Sequence, residues 1–153
     1  VGVRESIEPG FRAIWTAVQQ NVELMPEARM DARPDGLETR SFREIALHIA
    51  NSCVVFSDNI GKSTWERFTA FPPDNFRSKA QVLDAVRQGG ERYLAGLARL
   101  TDEEVGRTVE TPWGAKMPQG PLVGFQVPHV FYHNGQLSIY LRTAGIKPVF
   151  AAR

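Results

Sequence analysis

The stretch His129-Val-Phe-Tyr-His133-Asn-Gly-Gln-Leu-Ser-Ile-Tyr-Leu-Arg-Thr-Ala-Gly-Ile-Lys-Pro148 decides the reading of this chain. Its apolar residues recur at helical spacing, and Gly145 and Pro148 mark a stop after Ala144. Extended back to about Pro121, the helix places Leu122, Phe125, Gln126, His129, His133, Gln136, Leu137 and Tyr140 on one broad face. Two histidines, two glutamines and a tyrosine are therefore predicted to point inward. Pro128 lies inside this pattern and is predicted to remove a backbone hydrogen bond and bend the helix one residue before His129. Histidines four apart on a helix have Cβ atoms about 5–6 Å from each other. Two ring nitrogens at that spacing can converge on one divalent cation, at metal–nitrogen distances of about 2.0–2.1 Å.

Three more helices are predicted upstream. The first runs from about Glu8 to Met25, with Pro9 suited to its first turn and Ile7, Phe11, Ile14, Trp15, Val18 and Val22 as its stripe. A polar connector with Pro and Gly follows. The second helix opens on Ser41-Phe-Arg-Glu44, a capping box, and stops near Gly61. Its stripe is Phe42, Ile45, Ala46, Ile49, Cys53 and Phe56. His48 falls on the shoulder of that stripe, with Ser52 and Val55, and is the candidate third ligand. Three protein ligands leave a tetrahedral position open, as catalytic metal sites do. The third helix opens on Ser78-Lys-Ala-Gln81, a second capping box. Gly89-Gly90 weakens it by about 1 kcal/mol per glycine relative to alanine, which close packing on a neighbour can offset. Thr101 to Glu104 caps a short turn, and Arg107 to Met117 reads as a short hairpin around Pro112-Trp-Gly. The expected fold is all-α, a single four-helix-bundle domain over residues 1–153 with a short hairpin between the third and fourth helices.

Composition narrows the function. Residues are 42% hydrophobic and 23% charged, with a net charge of +1. No basic field or arm exists to attract nucleic acid. No apolar run approaches the ~20 residues of a membrane span, and the N-terminus lacks the apolar core of a signal peptide. The start at Val1 reads as a trimmed N-terminus. One cysteine, Cys53, excludes an intrachain disulfide and fits a cytoplasmic setting. Cys53 lies on the core stripe and is read as a buried small hydrophobe rather than a nucleophile.

The residues quoted above resemble the DinB-like (YfiT-like) metalloprotein superfamily. Its closing signature is H-x-x-x-H, then G-Q-L, L-R, G and P. Ser41, Glu44 and His48 match its second helix, and residues 25–34 resemble its first connector. The resemblance implies a four-helix bundle, a three-histidine site for zinc or nickel, and a homodimer. It also implies thiol chemistry, since relatives include bacillithiol S-transferases and mycothiol-dependent maleylpyruvate isomerases. Asn134 departs from the pattern, standing where many relatives carry Arg. Arg142 matches L-R but faces away from the histidines on the helical wheel, which suits a salt bridge or dimer contact.

The expected activity is metal-dependent transfer of a small-molecule thiol to an electrophilic substrate. A metal-dependent hydrolase and a non-catalytic metal-binding stress-response bundle remain as alternatives. The lack of a strong candidate general base favours the thiol reading. Gln126, Gln136, Tyr140 and Trp113 are candidates for the substrate pocket or for supporting the ligands. Trp65, Phe68, Phe71 and Met117 join Trp113 as candidates for the pocket mouth, or for closing the end of the bundle.

Overall fold

Capping chemistry starts the first three long helices of this chain. The computed structural model describes residues 2–36 and 38–150; Val1, Leu37 in the first connector and residues 151–153 lie outside it. Helix α1 spans Val3–Leu24 and begins where Glu5 accepts from the Gly2 N–H at 3.0 Å. It therefore starts five residues before the sequence suggests, and Pro9 lies inside it. The carbonyl that Pro9 leaves unbonded belongs to exposed Glu5, where water can satisfy it. Helix α2 (Phe42–Asn59) starts at the Ser41–Glu44 box, with both reciprocal bonds formed. Helix α3 (Lys79–Arg99) starts at the Ser78–Gln81 box in the same way.

A five-residue helix α4 (Asp102–Gly106), capped by the Thr101 hydroxyl, leads into an antiparallel hairpin. Its strands are β1 (Thr108–Glu110) and β2 (Lys116–Pro118), in register through Val109 opposite Met117. Gly114 takes φ 83° in the turn between them, a conformation that favours glycine.

The predicted fourth helix is two helices, α5 (Gln119–Gly124) and α6 (Gln126–Thr143). A proline ring clashes with the carbonyl four residues back. For Pro128 that residue is Gly124, where α5 ends. The break thus falls at Phe125, earlier than expected, and Pro128 sits in the first turn of α6, where its missing N–H costs nothing. The other end of α6 closes on Gly145 (φ 77°): its N–H bonds Arg142 O and the Ile146 N–H bonds Leu141 O.

The four long helices form an all-α bundle. Helix α1 packs on α3 and α6, and α2 packs on the same two, so α1 and α2 face each other diagonally. Phe11, Phe42, Tyr93 and Leu137 lie in the core. The Gly89-Gly90 pair explains how α3 reaches both neighbours. A Cβ at Gly89 would stand 2.8 Å from Ala50 O of α2, and one at Gly90 would stand 2.0 Å from the Trp15 indole of α1. Gly96 repeats the approach one heptad later against Ser57. The cost in helix propensity is offset by backbone contact.

This contrast is testable by thermal melting. Gly89→Ala should lower stability by about 1–3 kcal/mol despite alanine's better helix propensity, because the α2 backbone must move. Gly135→Ala, where a Cβ would meet nothing within 4 Å, should raise it by up to about 1 kcal/mol. Equal shifts in both variants would contradict the close-packing account.

Candidate metal centre

Helix α2 turns its polar shoulder toward α6. Gln126 fixes the register between the two: its buried amide donates to Ser52 Oγ at 2.8 Å and to Cys53 Sγ at 3.1 Å. One and two turns further along α6, His129 and His133 face His48 of α2. Ring centroids are 4.5 Å apart for His48–His133 and for His129–His133, and 5.3 Å for His48–His129. Each ring offers a nitrogen, and these atoms all lie within 4.8 Å of one another.

Hydrogen bonding sets the outward nitrogen of His133. Its Nδ1–H donates to Gln136 Oε1 at 2.7 Å, and an amide oxygen can only accept. Nε2 of His133 therefore presents its lone pair. It stands 3.1 Å from Nε2 of His129. Two lone pairs at that distance repel, so the pair needs either a proton or a cation between them. Nitrogens bound to one zinc at about 2.0–2.1 Å stand roughly 3–3.4 Å apart for angles from about 90° to tetrahedral. The donor set and this spacing fit a divalent cation. His129 Nδ1 is buried with no hydrogen-bond partner among the described residues.

All three imidazoles are held neutral, as ligands must be. Burial pushes His48 down to about 3, helped by His133, the Arg40 guanidinium and His129. Burial, His133 and Arg40 bring His129 down to about 4. His133 is lowered by burial and Arg40, against the opposing bond to Gln136.

His48 and His129 open onto a cavity of about 670 Å³. Its wall is the loop after α2, which carries Trp65, Arg67, Phe68 and Thr69. Two buried or half-buried asparagines of α2 clamp that loop. Asn59 bonds both the N–H and the C=O of Glu66, and Asn51 does the same to Phe71. The backbone N–H of Trp65 also donates to Glu110 O of β1, tying the loop to the hairpin. Trp113 lines the mouth and is exposed. Phe71 and Met117 do not line it; Phe71 packs edge-on against Phe76.

Other sequence candidates take different places. Tyr140 is buried against Phe42, and its hydroxyl donates to Arg40 O, so it holds the backbone beside the cavity rather than facing it. Phe125 is 55% exposed at the cavity rim, not on the inner face, because the helical wheel does not continue through the break. Cys53 is fully buried, and burial pushes its thiol up, away from reactivity. Arg142 lies over the Phe150 ring at 5.4 Å. Arg40, Arg67, Asn51 and Asn59 escaped the sequence reading. Only Asn51, three residues after His48 on the same shoulder, left a signal there.

A family model matches residues 13–152. The chain belongs to the DinB family. Solved structures agree in fold. A DinB-like protein from Bacillus subtilis superposes with TM-score 0.79 at 21% identity, over 97% of this chain and 98% of its own. YfiT from Bacillus subtilis, a probable metal-dependent hydrolase with an unusual four-helix bundle topology, gives 0.73 at 18% identity over 94% and 89%. A mycothiol-dependent maleylpyruvate isomerase gives 0.70 at 13% identity, over 90% of this chain and 61% of its own. A comparison with curated proteins finds no match. Within this DinB-family chain, Asn134 is buried and accepts from the Asn21 amide at 2.9 Å, while Asn21 also clamps the backbone of Val149. The residue at this position secures the C-terminal segment and does not reach the cavity.

The titration of metal-free protein tests the geometry. Unfolded histidines titrate near about 6.5, whereas His48 and His129 do so near 3 and 4 in the fold. Below pH about 6.5 the unfolded chain binds more protons, so stability is full above that pH and falls as the pH drops toward 4. The urea midpoint should be lower at pH 5 than at pH 7, with the His48 and His129 ring signals still neutral by NMR. A normal titration of either ring near 6.5 would contradict the packing.

Proposed function

We propose that this protein is a metal-dependent enzyme that transfers a small-molecule thiol to an electrophilic substrate, with His48, His129 and His133 as its metal ligands. The observation that carries the reading is the convergence of three neutral imidazoles at one side of a mostly apolar cavity. A zinc or nickel ion held there by the three histidines would supply a Lewis acid able to lower the pKa of a thiol. Gln136 orients the His133 ring through Nδ1, the usual task of a group behind a metal ligand. Phe56, Trp65, Phe68 and Trp113 form walls that limit water around the reacting groups. The cavity then holds the second substrate near the sulfur. An S–C bond forms as the substrate's C=C π bond or its bond to a leaving group breaks, and the thiol proton passes to the adduct carbon or leaves with the displaced group.

A hydrolytic reading calls for a group to take a proton from water. Among the described lining residues the one carboxylate is Glu44. It accepts from the Ser41 N–H and from Arg33, and its pKa is lowered, first by the Ser41 bond. That makes it a weak base and supports the thiol reading. Among the structural neighbours the mycothiol-dependent isomerase supports the thiol reading, and YfiT, a probable metal-dependent hydrolase, supports the hydrolytic one. Among the described residues no helix is long and apolar enough to cross a membrane. A single-domain, cytoplasmic homodimer completes the proposal.

The test combines metal analysis of untagged protein with conjugation of a monochlorobimane probe to a panel of low-molecular-weight thiols. Turnover should require both added thiol and metal, and His133→Ala should lower it at least about a hundredfold with the helical circular dichroism retained. Gln136→Leu should weaken metal affinity by about 10–100-fold. Turnover of ester or amide substrates without thiol would favour the hydrolase, and a metal-free, inactive protein would reject both.

A further inference from the structure

The cavity beside the histidines has an unbalanced charge. Its lining includes two guanidiniums, Arg40 and Arg67, both exposed and without a carboxylate partner among the described residues. The one lining carboxylate, Glu44, is engaged by Ser41 and Arg33. Two neutral polar side chains of the wall are engaged as well. The Asn51 amide holds Phe71, and Ser52 Oγ donates to Ile49 O while accepting from Gln126. Apart from the imidazoles, the Thr69 hydroxyl and the indole N–H groups of Trp65 and Trp113, the polar side-chain groups left for a ligand are cationic, and no free carboxylate among the described residues opposes them.

Both arginines are also held in place from behind. Tyr140 OH bonds the Arg40 carbonyl, and Ser41 next to it caps α2. Arg67 follows Glu66, whose backbone N–H and C=O are both clamped by buried Asn59, and precedes Phe71, clamped by Asn51. A guanidinium on a fixed backbone loses less freedom on meeting an oxyanion, and it can do so with two parallel bonds. Arg40 lines the same cavity as His48 and His129. An anion bound to it would therefore lie in the cavity onto which those histidines open.

We propose that the cavity selects a small carboxylate with an apolar or aromatic body as its electrophilic substrate, the carboxylate bound by Arg40 and Arg67 and the body against Trp65, Phe68 and Trp113. This deepens the reading of the same site as a thiol transferase and rests on it for the role of the bound carboxylate. Binding itself needs neither thiol nor turnover, so the two ideas fail separately. The cavity, about 670 Å³, has room for such a molecule and a thiol together.

The experiment is an NMR shift titration with trans-cinnamate and with cinnamamide, its uncharged analogue, on metal-loaded and metal-free protein. The indole N–H signals of Trp65 and Trp113 report on the cavity, and Trp15, which lies against Gly90 on the far side of α3, serves as the internal control. Cinnamate should bind at least about tenfold more tightly than cinnamamide in both metal states. Arg40→Gln and Arg67→Gln should each weaken cinnamate by about three- to tenfold, leaving cinnamamide and the melting temperature unchanged, and the double variant should erase the preference. The proposal is overturned if acid and amide bind alike, if neither binds, if the preference survives the double variant, or if it vanishes when metal is removed.

Discussion

The register between α2 and α6 is the constraint on which the site depends. His48 belongs to one helix and His129 with His133 to the other, so a slip of one turn, about 5.4 Å, would part them. The Gln126 amide, bonded to Ser52 and Cys53, locks that register one turn from the histidines. The glycine seam acts from the opposite side. By letting α3 approach the backbone of α2 at Ala50 and Ser57, it fixes where α2 lies in the bundle. Burial of the rings then keeps them neutral, which is the state a cation requires.

The same helix α2 builds the cavity. Its inward shoulder carries His48, Ser52 and Val55, while Asn51 and Asn59 reach out to hold the aromatic loop. One helix therefore supplies a histidine of the cluster, part of the cavity lining and the anchors of the opposite wall. The break at Phe125 has a comparable double effect. It lets α5 follow the hairpin while α6 turns its histidines inward, and it leaves Phe125 at the rim.

Much of this was legible in sequence because it rests on local chemistry. Both serine capping boxes, the apolar stripes of α1 and α2, the Gly145 stop and the hairpin around Trp113 depend on residues near one another in the chain. The inward placement of His48, and the burial of Cys53, followed from helical spacing alone. What was not legible depends on contacts between distant segments or on a break in periodicity. A wheel drawn through Pro128 misplaced Phe125, because the steric effect of a proline is felt four residues earlier. Pro9 suits a helix start by sequence, whereas Gly2 and Glu5 start the helix and water can satisfy the carbonyl that the proline leaves free. Arg40 and Arg67 lie in connectors without periodicity, and only the folded loop brings them to one cavity. Tyr140 was placed on the correct helix face in general, yet its hydroxyl serves the backbone of Arg40.

The central claim is that imidazoles from two helices share one cation. The most direct measurement is a titration of metal-free protein with zinc, followed by NMR of ¹⁵N-labelled histidine. The account predicts that the ring signals of His48, His129 and His133 shift together and saturate at one equivalent, with Nδ1 of His133 remaining protonated. Saturation that leaves the His48 ring unmoved would contradict it.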